Sequence, residues 1–406
     1  MKVIKNKWLI TAVVCLAVLL IVTIATGFWS RAPKESVIRI GFVYSEDEST
    51  PYTANFIRAQ YALEAEFGEQ VEILSRSNVL SRDAERPMLD LIRAGCRILF
   101  INLDTDIPVT LAREYPDVIF CQISMPDVRI EGTPENYHTF NGEIYQARYV
   151  SGIAAGMKLQ QMMNSSENGE NEKPDPEKGV IGYVAANSTA EVISGYTAFL
   201  LGVRSVVPNA TMRVRYTGSW GNYDMEKEQT QALIDEGCVI IAQHVNTSAP
   251  ANICEESTRN GHPVYHVGYH QSMLDIAPSC ALVSIRTNWI PYVTETVRAV
   301  MNGHSIETDV KGNVHGRDMS AGFENGWVEL LDLNLFIAPE GTKEKTDQAI
   351  EDLKKGKIKV FSGDYVGVNP RNRGDTFDLS EGFTENEYSS SPSFEYILKD
   401  CIIEEE

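Results

Sequence analysis

Positive charge is what this 406-residue chain lacks most: 36 Lys and Arg stand against 56 Asp and Glu, a formal charge of −20. Residues 1–35 run the other way, with Lys2, Lys5, Lys7, Arg31 and Lys34 against Glu35 alone, so the acidic excess lies in the remainder. A body of that sign repels phosphate backbones and anionic lipid surfaces, and nucleic acid is excluded as an expected partner. Enzyme signatures are missing too. No Walker A loop, no G-x-G-x-x-G after a strand, no H-E-x-x-H and no G-x-S-x-G occurs, which removes the common nucleotide-hydrolysing, dinucleotide-binding, zinc-protease and serine-hydrolase classes. The seven cysteines include no C-x-x-C pair, so zinc-ribbon and thioredoxin-like readings lose support. Cys96, Cys121 and Cys238 fall in apolar β-like runs, where cysteine acts as a small buried hydrophobe. Disulfides formed after export stay open for the six cysteines outside the N-terminal run.

Histidine is scarce as well, and three of the seven, His262, His266 and His270, are spaced by four. On a helix they would converge on one metal. Pro263, Val264, Tyr265 and Val267 predict a strand instead, where four residues cover about 13 Å, so no metal, no cofactor and no catalytic residue is expected. His270, at the strand's end, is a candidate ligand contact.

What is present divides into an N-terminal run and a globular body. Trp8 to Trp29 carries no charge for 22 residues and follows three lysines. At about 1.5 Å per residue it reaches ~33 Å, enough to cross a hydrocarbon core, with Trp8, Phe28 and Trp29 where interfacial aromatics belong. The lysines predict a cytoplasmic N-terminus, a single transmembrane or signal helix, and a body on the extracytoplasmic side of the cell membrane. Ala25-Thr26-Gly27 offers a small-residue cleavage site, so both an uncleaved anchor and a cut signal fit. Cys15 has no small residue directly before it and does not read as a lipid-attachment site.

The body, in a chain 43% hydrophobic and 23% charged, has ordinary globular composition. Short β-rich runs alternate with helical stretches: Val37–Tyr44, a helix over Ala54–Phe67, Val71–Leu74, a helix near Arg82–Ala94, Arg97–Asn102 and Val118–Ile123. Such alternation predicts a mostly parallel sheet covered on both faces. The pattern then recurs. Ile40-Gly41-Phe42-Val43 returns as Ile181-Gly182-Tyr183-Val184, Leu91-Ile92 with Gly95-Cys96 returns as Leu233-Ile234 with Gly237-Cys238, and Val118–Ile123 has a counterpart in Pro263–Tyr269. Two similar α/β lobes follow, separated by an exposed loop over Asn164–Lys178. Further on, the sequence predicts a helix over Gly341–Lys355 capped by Thr342, a short strand at Gly356–Val360, an irregular wrap over Ser362–Ser391 and a frayed Glu404-Glu405-Glu406. The expected division is 1–35 as anchor or signal, 36–155 with about 285–330 as lobe 1, and 156–284 with about 331–406 as lobe 2.

Ligands of open α/β sheets bind outside the C-terminal ends of the strands. Those ends carry Ser45 with Tyr52, then Asp104, then Asn141 ahead of the next helix. In the second lobe they carry Asn187, Trp220, His244 with Asn246, and Gly268 with Tyr269, followed by Trp289. Aromatic faces beside amide and carboxylate groups suit a planar heterocycle carrying hydroxyls. Each position also has a structural reading: Tyr52 and Trp289 as packing aromatics, and Asp104 and Asn187 as helix caps.

Several segments together resemble one family. They are Tyr115-Pro116-Asp117-Val118-Ile119-Phe120, Arg148 to Gly156 (a small-residue helix), Tyr216-Thr217-Gly218-Ser219-Trp220, Ile241-Ala242-Gln243-His244 with Asn246, Asn288-Trp289 with Tyr292, and Gly356 to Phe361. From about Val37 to Phe361 the chain resembles the basic membrane protein family of substrate-binding proteins, which includes purine-nucleoside-binding lipoproteins and Med-like proteins. The resemblance implies a type I periplasmic-binding-protein-like fold, two parallel-sheet lobes with an inter-lobe cleft. It also implies capture of a small molecule, a purine nucleoside foremost, for an ABC importer whose permease is the partner. Tyr52 then looks like the family's base-stacking aromatic, and Trp220 resembles the tryptophan after the matching strand. Asn246 stands where many members have an acidic residue, and Gly195 where some carry a second aromatic. Asp47-Glu48-Ser49-Thr50-Pro51-Tyr52 departs from the family's usual stretch after strand one. The alternative function is a membrane-anchored ligand sensor of the same fold without a transport role, favoured by the long apolar run and the missing lipid-attachment cysteine.

Overall fold

The computed structural model describes residues 37–124, 130–166 and 181–405. The predicted membrane or signal helix, and all but the start of the predicted 164–178 loop, lie outside the described residues. Among those described, no helix is long and apolar enough to cross a membrane.

The first sheet begins with β1 (Ile38–Val43), α1 (Pro51–Phe67), β2 (Val71–Arg76), α2 (Glu85–Arg93), β3 (Cys96–Ile101), α3 (Ile107–Glu114), β4 (Ile119–Ile123) and β5 (Tyr137–Gly142). The chain then crosses to the second sheet through α4 (Ile144–Ser166), β6 (Ile181–Ala185), α5 (Ala190–Arg204), β7 (Met212–Tyr216), α6 (Tyr223–Asp235), β8 (Ile240–His244), α7 (Ala249–Arg259), β9 (Tyr265–Tyr269) and β10 (Ala281–Thr287). It returns with α8 (Ile290–Asn302), α9 (Ile306–Asp309), β11 (Asn313–His315) and β12 (Asp318–Ala321), then crosses again to β13 (Val328–Leu331) and α10 (Thr342–Lys354). Strand orders are β11-β12-β5-β4-β3-β1-β2 in the first sheet and β13-β10-β9-β8-β6-β7 in the second. Pairing among β1 to β5 and among β6 to β10 is parallel throughout. The 155/156 division expected from sequence falls inside α4, whose packing partners are α5, α10 and β10 on the second-sheet side.

The internal repeat has a packing cause. A side chain at Gly41 would collide with Leu99 and meet Leu91 Cδ1 at 3.0 Å; one at Gly182 would meet Ile241 Cδ1 at 2.6 Å and Leu233 Cδ1 at 3.1 Å. Each lobe thus uses a glycine in its first strand to seat a leucine of the helix that precedes the Gly-Cys pair. Gly95 and Gly237 leave those helices at φ +91° and +88°, a backbone region that favours glycine. A second close approach joins α4 to α5. A Cβ on Gly152 would strike the Phe199 carbonyl, and one on Gly202 the Tyr149 carbonyl, so the two helix backbones touch.

Beyond Lys355 the chain departs from expectation. Gly356–Val360 forms no strand; only Phe361 makes an isolated bridge, to Phe383. The segment expected to be irregular contains β14 (Val366–Asn369) and β15 (Asn372–Asp378), an antiparallel pair extended by β16 (Ile397–Leu398). Phe361 and Phe394 stack at 4.0 Å and carry this small sheet into the second lobe's core. The carboxyl terminus is not frayed through Glu405. β17 (Ile402–Glu405) pairs parallel to β7 as an edge strand, with Glu405 ion-paired to Arg213 and Arg215 and Glu404 accepting from Tyr196 and Tyr216. The acidic end is held because β7 and α5 present donors opposite it. Thr342 is the first residue of α10 rather than its cap; Gly341 caps the helix at φ +80°, and Thr342 Oγ1 donates to Pro339 O at 2.7 Å.

Placing a methyl group where two backbones already touch forces the helices apart, at a typical cost of about 1–3 kcal/mol. Gly152→Ala is therefore expected to lower the thermal midpoint by several degrees, whereas Gly68→Ala, with open space around it but φ +52°, will show only the smaller cost of a left-handed backbone. Equal shifts for the two variants would show that the α4–α5 contact is not tight.

Candidate functional site

The C-terminal ends of both parallel sheets face one cavity of about 460 Å³. From the first lobe it is lined by Ser45 and Glu46 after β1, Tyr52 of α1, and Asn102 to Asp104 after β3. Ser124 after β4 and Asn141 of β5 join them. From the second lobe come Glu191 in the first turn of α5, Trp220 after β7, Asn246 after β8, and Tyr269 with His270 at the end of β9. Thr287 and Trp289 follow β10 and close the wall.

Of the residues singled out from sequence, Ser45, Tyr52, Asp104, Asn141, Trp220, Asn246, Tyr269 and Trp289 meet around this cavity. Asn187, His244 and Gly268 do not line it. Asn187 sits in the turn before α5, its carbonyl accepting from Thr189 N at 2.9 Å. His244 is fully buried one layer back, its ring 5.0 Å from Tyr269 and 5.9 Å from Trp220. A side chain at Gly268 would run into Ser284 and Met273, within the sheet packing rather than the cleft. Sequence reasoning passed over Glu46, Asn102, Ser124, Glu191 and Thr287. Glu46 and Asn102 adjoin strand ends already recognised, and Glu191 follows β6 by the same rule, so adjacency was the usable signal.

The aromatic groups are engaged with each other. Tyr52 meets Phe56 and, across the cleft, His270 with ring centroids 5.3 Å apart at 60°. His270 stacks on Tyr269 at 3.5 Å, and Phe56 on Trp289 at 4.6 Å. Tyr52 therefore touches both lobes instead of offering two free faces. Trp220 remains the most accessible ring of the set, 37% exposed at the rim.

Among the described residues several buried polar atoms here find no protein partner: Asn102 Nδ2, Glu46 Oε2, His270 Nδ1 and Trp289 Nε1. Orphaned buried donors and acceptors are rare unless something else satisfies them. Asn102 Oδ1 is occupied by Ser45 N at 2.8 Å, which fixes the amide and leaves its NH₂ to point elsewhere. His270 Nε2 lies 3.1 Å from Asn246 Oδ1. Burial and the nearby Arg148 push His270 well below the ordinary histidine range, so the ring is neutral. With Nε2–H donating to Asn246, Nδ1 is left as an acceptor.

Behind this wall lies Arg148, fully buried, in the opening turns of α4. Its Nη1 donates to Gln243 O at 2.7 Å and its guanidinium covers the Tyr269 ring at 4.0 Å, while Nε and Nη2 meet no hydrogen-bond acceptor among the described residues. Burial, with Arg148 second, pushes His244 well below its ordinary value. Gly195 makes room for this cluster, since a Cβ there would stand 2.7 Å from His244 Nδ1 and 3.6 Å from Arg148 Nε. Burial pushes the Glu191 carboxyl up to about 7, with Arg148 pulling the other way.

A two-lobed α/β protein with a polar, aromatic cleft at the strand ends has the build of a solute-binding protein. The match to known proteins makes this specific: residues 62–360 fit the family model for PnrA-like ABC transporter substrate-binding proteins, and the chain belongs to that family. It is 25% identical over 350 residues to a purine-binding protein of Brucella abortus, spanning 85% of this chain and 89% of that one. It is 31% identical over 256 residues to a Haloferax volcanii protein provisionally assigned to glucose binding in an ABC transporter, across 62% of this chain and 55% of the relative. Among solved structures, an ABC transporter solute-binding protein of Conexibacter woesei superposes with a TM-score of 0.59 at 16% identity, over 79% of this chain and 97% of its own. The fold is therefore the type I periplasmic-binding-protein-like one.

A carboxyl whose folded-state pKa is raised binds its proton more tightly in the folded chain. The stability this adds is present below the unfolded value near 4.5 and is lost as pH rises through about 7. With the cleft empty, a ¹³C-labelled Glu191 carboxyl should titrate near 7, and Arg148→Met should move that midpoint upward. A midpoint near 4.5 in both proteins would refute the electrostatic picture.

Proposed function

We propose that this protein captures a purine nucleoside in the inter-lobe cleft and presents it to the permease of an ABC importer, with the body held on the extracytoplasmic side of the membrane by residues 1–35. The observation that carries the reading is the lining of the cleft. Aromatic rings from Tyr52, Tyr269, Trp220 and Trp289 stand beside unpaired donors and acceptors on Asn102, Glu46, His270 and Trp289, which suits a flat heterocycle bearing hydroxyls. A cavity of about 460 Å³ accommodates a nucleoside. Membership in the PnrA-like family and the purine-binding relative in Brucella abortus support the same reading.

In this reading Tyr52 is the aromatic that must leave His270 for a base to enter, and Trp220 closes the rim over it. Asp104, Ser45 and Asn141 take the sugar hydroxyls from the first lobe, and Asn246 with His270 takes them from the second. A sensor without a transporter is the second reading, favoured by the 22-residue uncharged run and the missing lipid-attachment cysteine.

The test is a thermal-shift screen of the full-length protein in detergent against nucleosides, bases, hexoses and amino acids. A ligand at about 100 times its Kd adds roughly 2.7 kcal/mol, a shift of a few degrees. Purine nucleosides are expected to give it and Trp220→Ala to reduce it. A shift with glucose alone would replace the ligand and keep the family. Closure of the lobes predicts a smaller radius of gyration with saturating ligand in X-ray scattering; an unchanged radius would remove the closure mechanism.

A further inference from the structure

Glu191 presents a carboxyl group to the cleft. It stands in the first turn of the 15-residue helix α5, where the helix dipole favours an anion, and its side chain is 32% exposed, into the cavity. His244 Nε2 lies 3.8 Å from its Oε1, beyond hydrogen-bond reach. Among the described residues neither carboxylate oxygen receives a hydrogen bond. The groups facing it are Arg148 from α4, Tyr183 from β6, His244 from β8, Tyr269 from β9 and Tyr52 from α1 across the cleft. Burial keeps both Tyr52 and Tyr269 protonated and His244 neutral, so Arg148 is the one fixed charge of the set.

A carboxylate is an acceptor only, with two oxygens spaced to take two adjacent N–H donors. The protein supplies neither donor, and it supplies the cation, Arg148, that makes the ionised form worth keeping. The second half of the cavity is also anionic in character: Glu46 and Asp104 line it, and no lysine or arginine does among the described residues. A phosphate placed there would meet carboxylates and find no guanidinium or ammonium to pair with.

We infer that Glu191 sets the ligand specificity of the cleft: its carboxylate receives the adjacent ring and exocyclic N–H groups of a guanine-type base, so guanosine is taken in preference to adenosine, and 5′-phosphorylated forms are refused. The chemistry follows from the two base edges. Guanine offers N1–H and an exocyclic NH₂ side by side. Adenine offers an NH₂ beside a ring nitrogen lone pair, which faces an ionised carboxylate unfavourably and a protonated one well. The two nucleosides therefore respond to pH in opposite directions. This inference rests on the purine-nucleoside reading above.

The experiment is calorimetric titration of the full-length protein in detergent with guanosine, adenosine and guanosine 5′-monophosphate at pH 5.5 and 8. With a midpoint of about 7 in the empty cleft, guanosine affinity should rise about 30-fold between the two pH values, while adenosine gains nothing or weakens. Glu191→Gln should cost guanosine at least about 10-fold at pH 8 and abolish its pH dependence, because one of two charge-assisted hydrogen bonds becomes a clash between N–H groups. Guanosine 5′-monophosphate should bind at least about 10-fold more weakly than guanosine at pH 8. If Glu191→Gln fails to fold, Glu191→Asp keeps the charge and should retain the pH slope at lower affinity. Equal guanosine affinity in Glu191→Gln and the parent overturns the inference. So does adenosine matching guanosine at pH 8, or the nucleotide matching the nucleoside. In each of those cases nucleoside capture itself still stands. If neither nucleoside binds, the purine reading falls and takes this inference with it.

Discussion

Among the described residues Arg148 is a buried cation with no carboxylate in contact, and the second lobe's half of the cleft is arranged around that fact. Burying an isolated charge costs several kcal/mol after relaxation, so it persists only where neighbours compensate. Here the compensation is distributed: a carbonyl from Gln243, the face of Tyr269 and, across a gap, Glu191. Burial foremost, with this charge adding to it, keeps His244 and His270 neutral, and with Nε2–H donating to Asn246 the Nδ1 of His270 is an acceptor. A neutral residue at position 148 would leave these histidines and Glu191 without a common reference. The polarity of the cleft wall is in that sense set from one layer beneath it.

What places Arg148 there is a steric matter. The α4–α5 crossing brings backbones together at Gly152 and Gly202, one turn beyond Arg148 on α4 and at the far end of α5 from Glu191. With larger residues the helices would separate, and the guanidinium and the carboxyl would move apart by a comparable amount. Gly195 extends the same requirement toward the site, because His244 fills the space its side chain would occupy. Four positions without side chains or with a charge thus determine the electrostatics of a cavity that none of the glycines touches.

The sequence revealed the duplicated plan because each lobe repeats one packing solution: Gly41 under Leu91, Gly182 under Leu233, and a left-handed glycine closing each helix. Such local steric demands leave a trace in residue identity. Strand β5 left no comparable trace, since His138, Thr139 and Asn141 interrupt its apolar pattern. His138 and Thr139 are buried because Glu307, Asp318 and the neighbouring strands satisfy them, His138 Nδ1 meeting Glu307 Oε1 at 2.6 Å. For the cleft, the strand-end rule located eight of the twenty lining residues but could not separate Tyr269 from Gly268, or Asn246 from His244, because which alternating side chain faces the cavity depends on register. Glu191 was passed over for a different reason: an acid in a first helical turn is usually a capping charge in water, and only the opposing lobe makes it a cleft residue.

The carboxyl-terminal segment lies beyond the residues that match the family, and it joins the two lobes a further time. Its root is in the second lobe, through Phe361, Phe394, Thr197 donating to Tyr396 O, and strand β17 on β7. Its tip reaches the first: Ser390 N donates to Asp318 Oδ2 at 2.6 Å, and Ser391 Oγ meets Ser124 Oγ at 2.8 Å. Asp318 is buried and also accepts from Thr139 at 2.7 Å. Parting the lobes at this point would leave a buried carboxylate short of a donor, a larger penalty than the loss of a surface hydrogen bond. Because Ser124 itself lines the cavity, the tail meets the first lobe at the cleft and not at its periphery. Any change in the angle between lobes must therefore either carry the 385–394 loop along or break these two contacts, which makes the tail part of the energetics of ligand capture even though it contributes no lining residue.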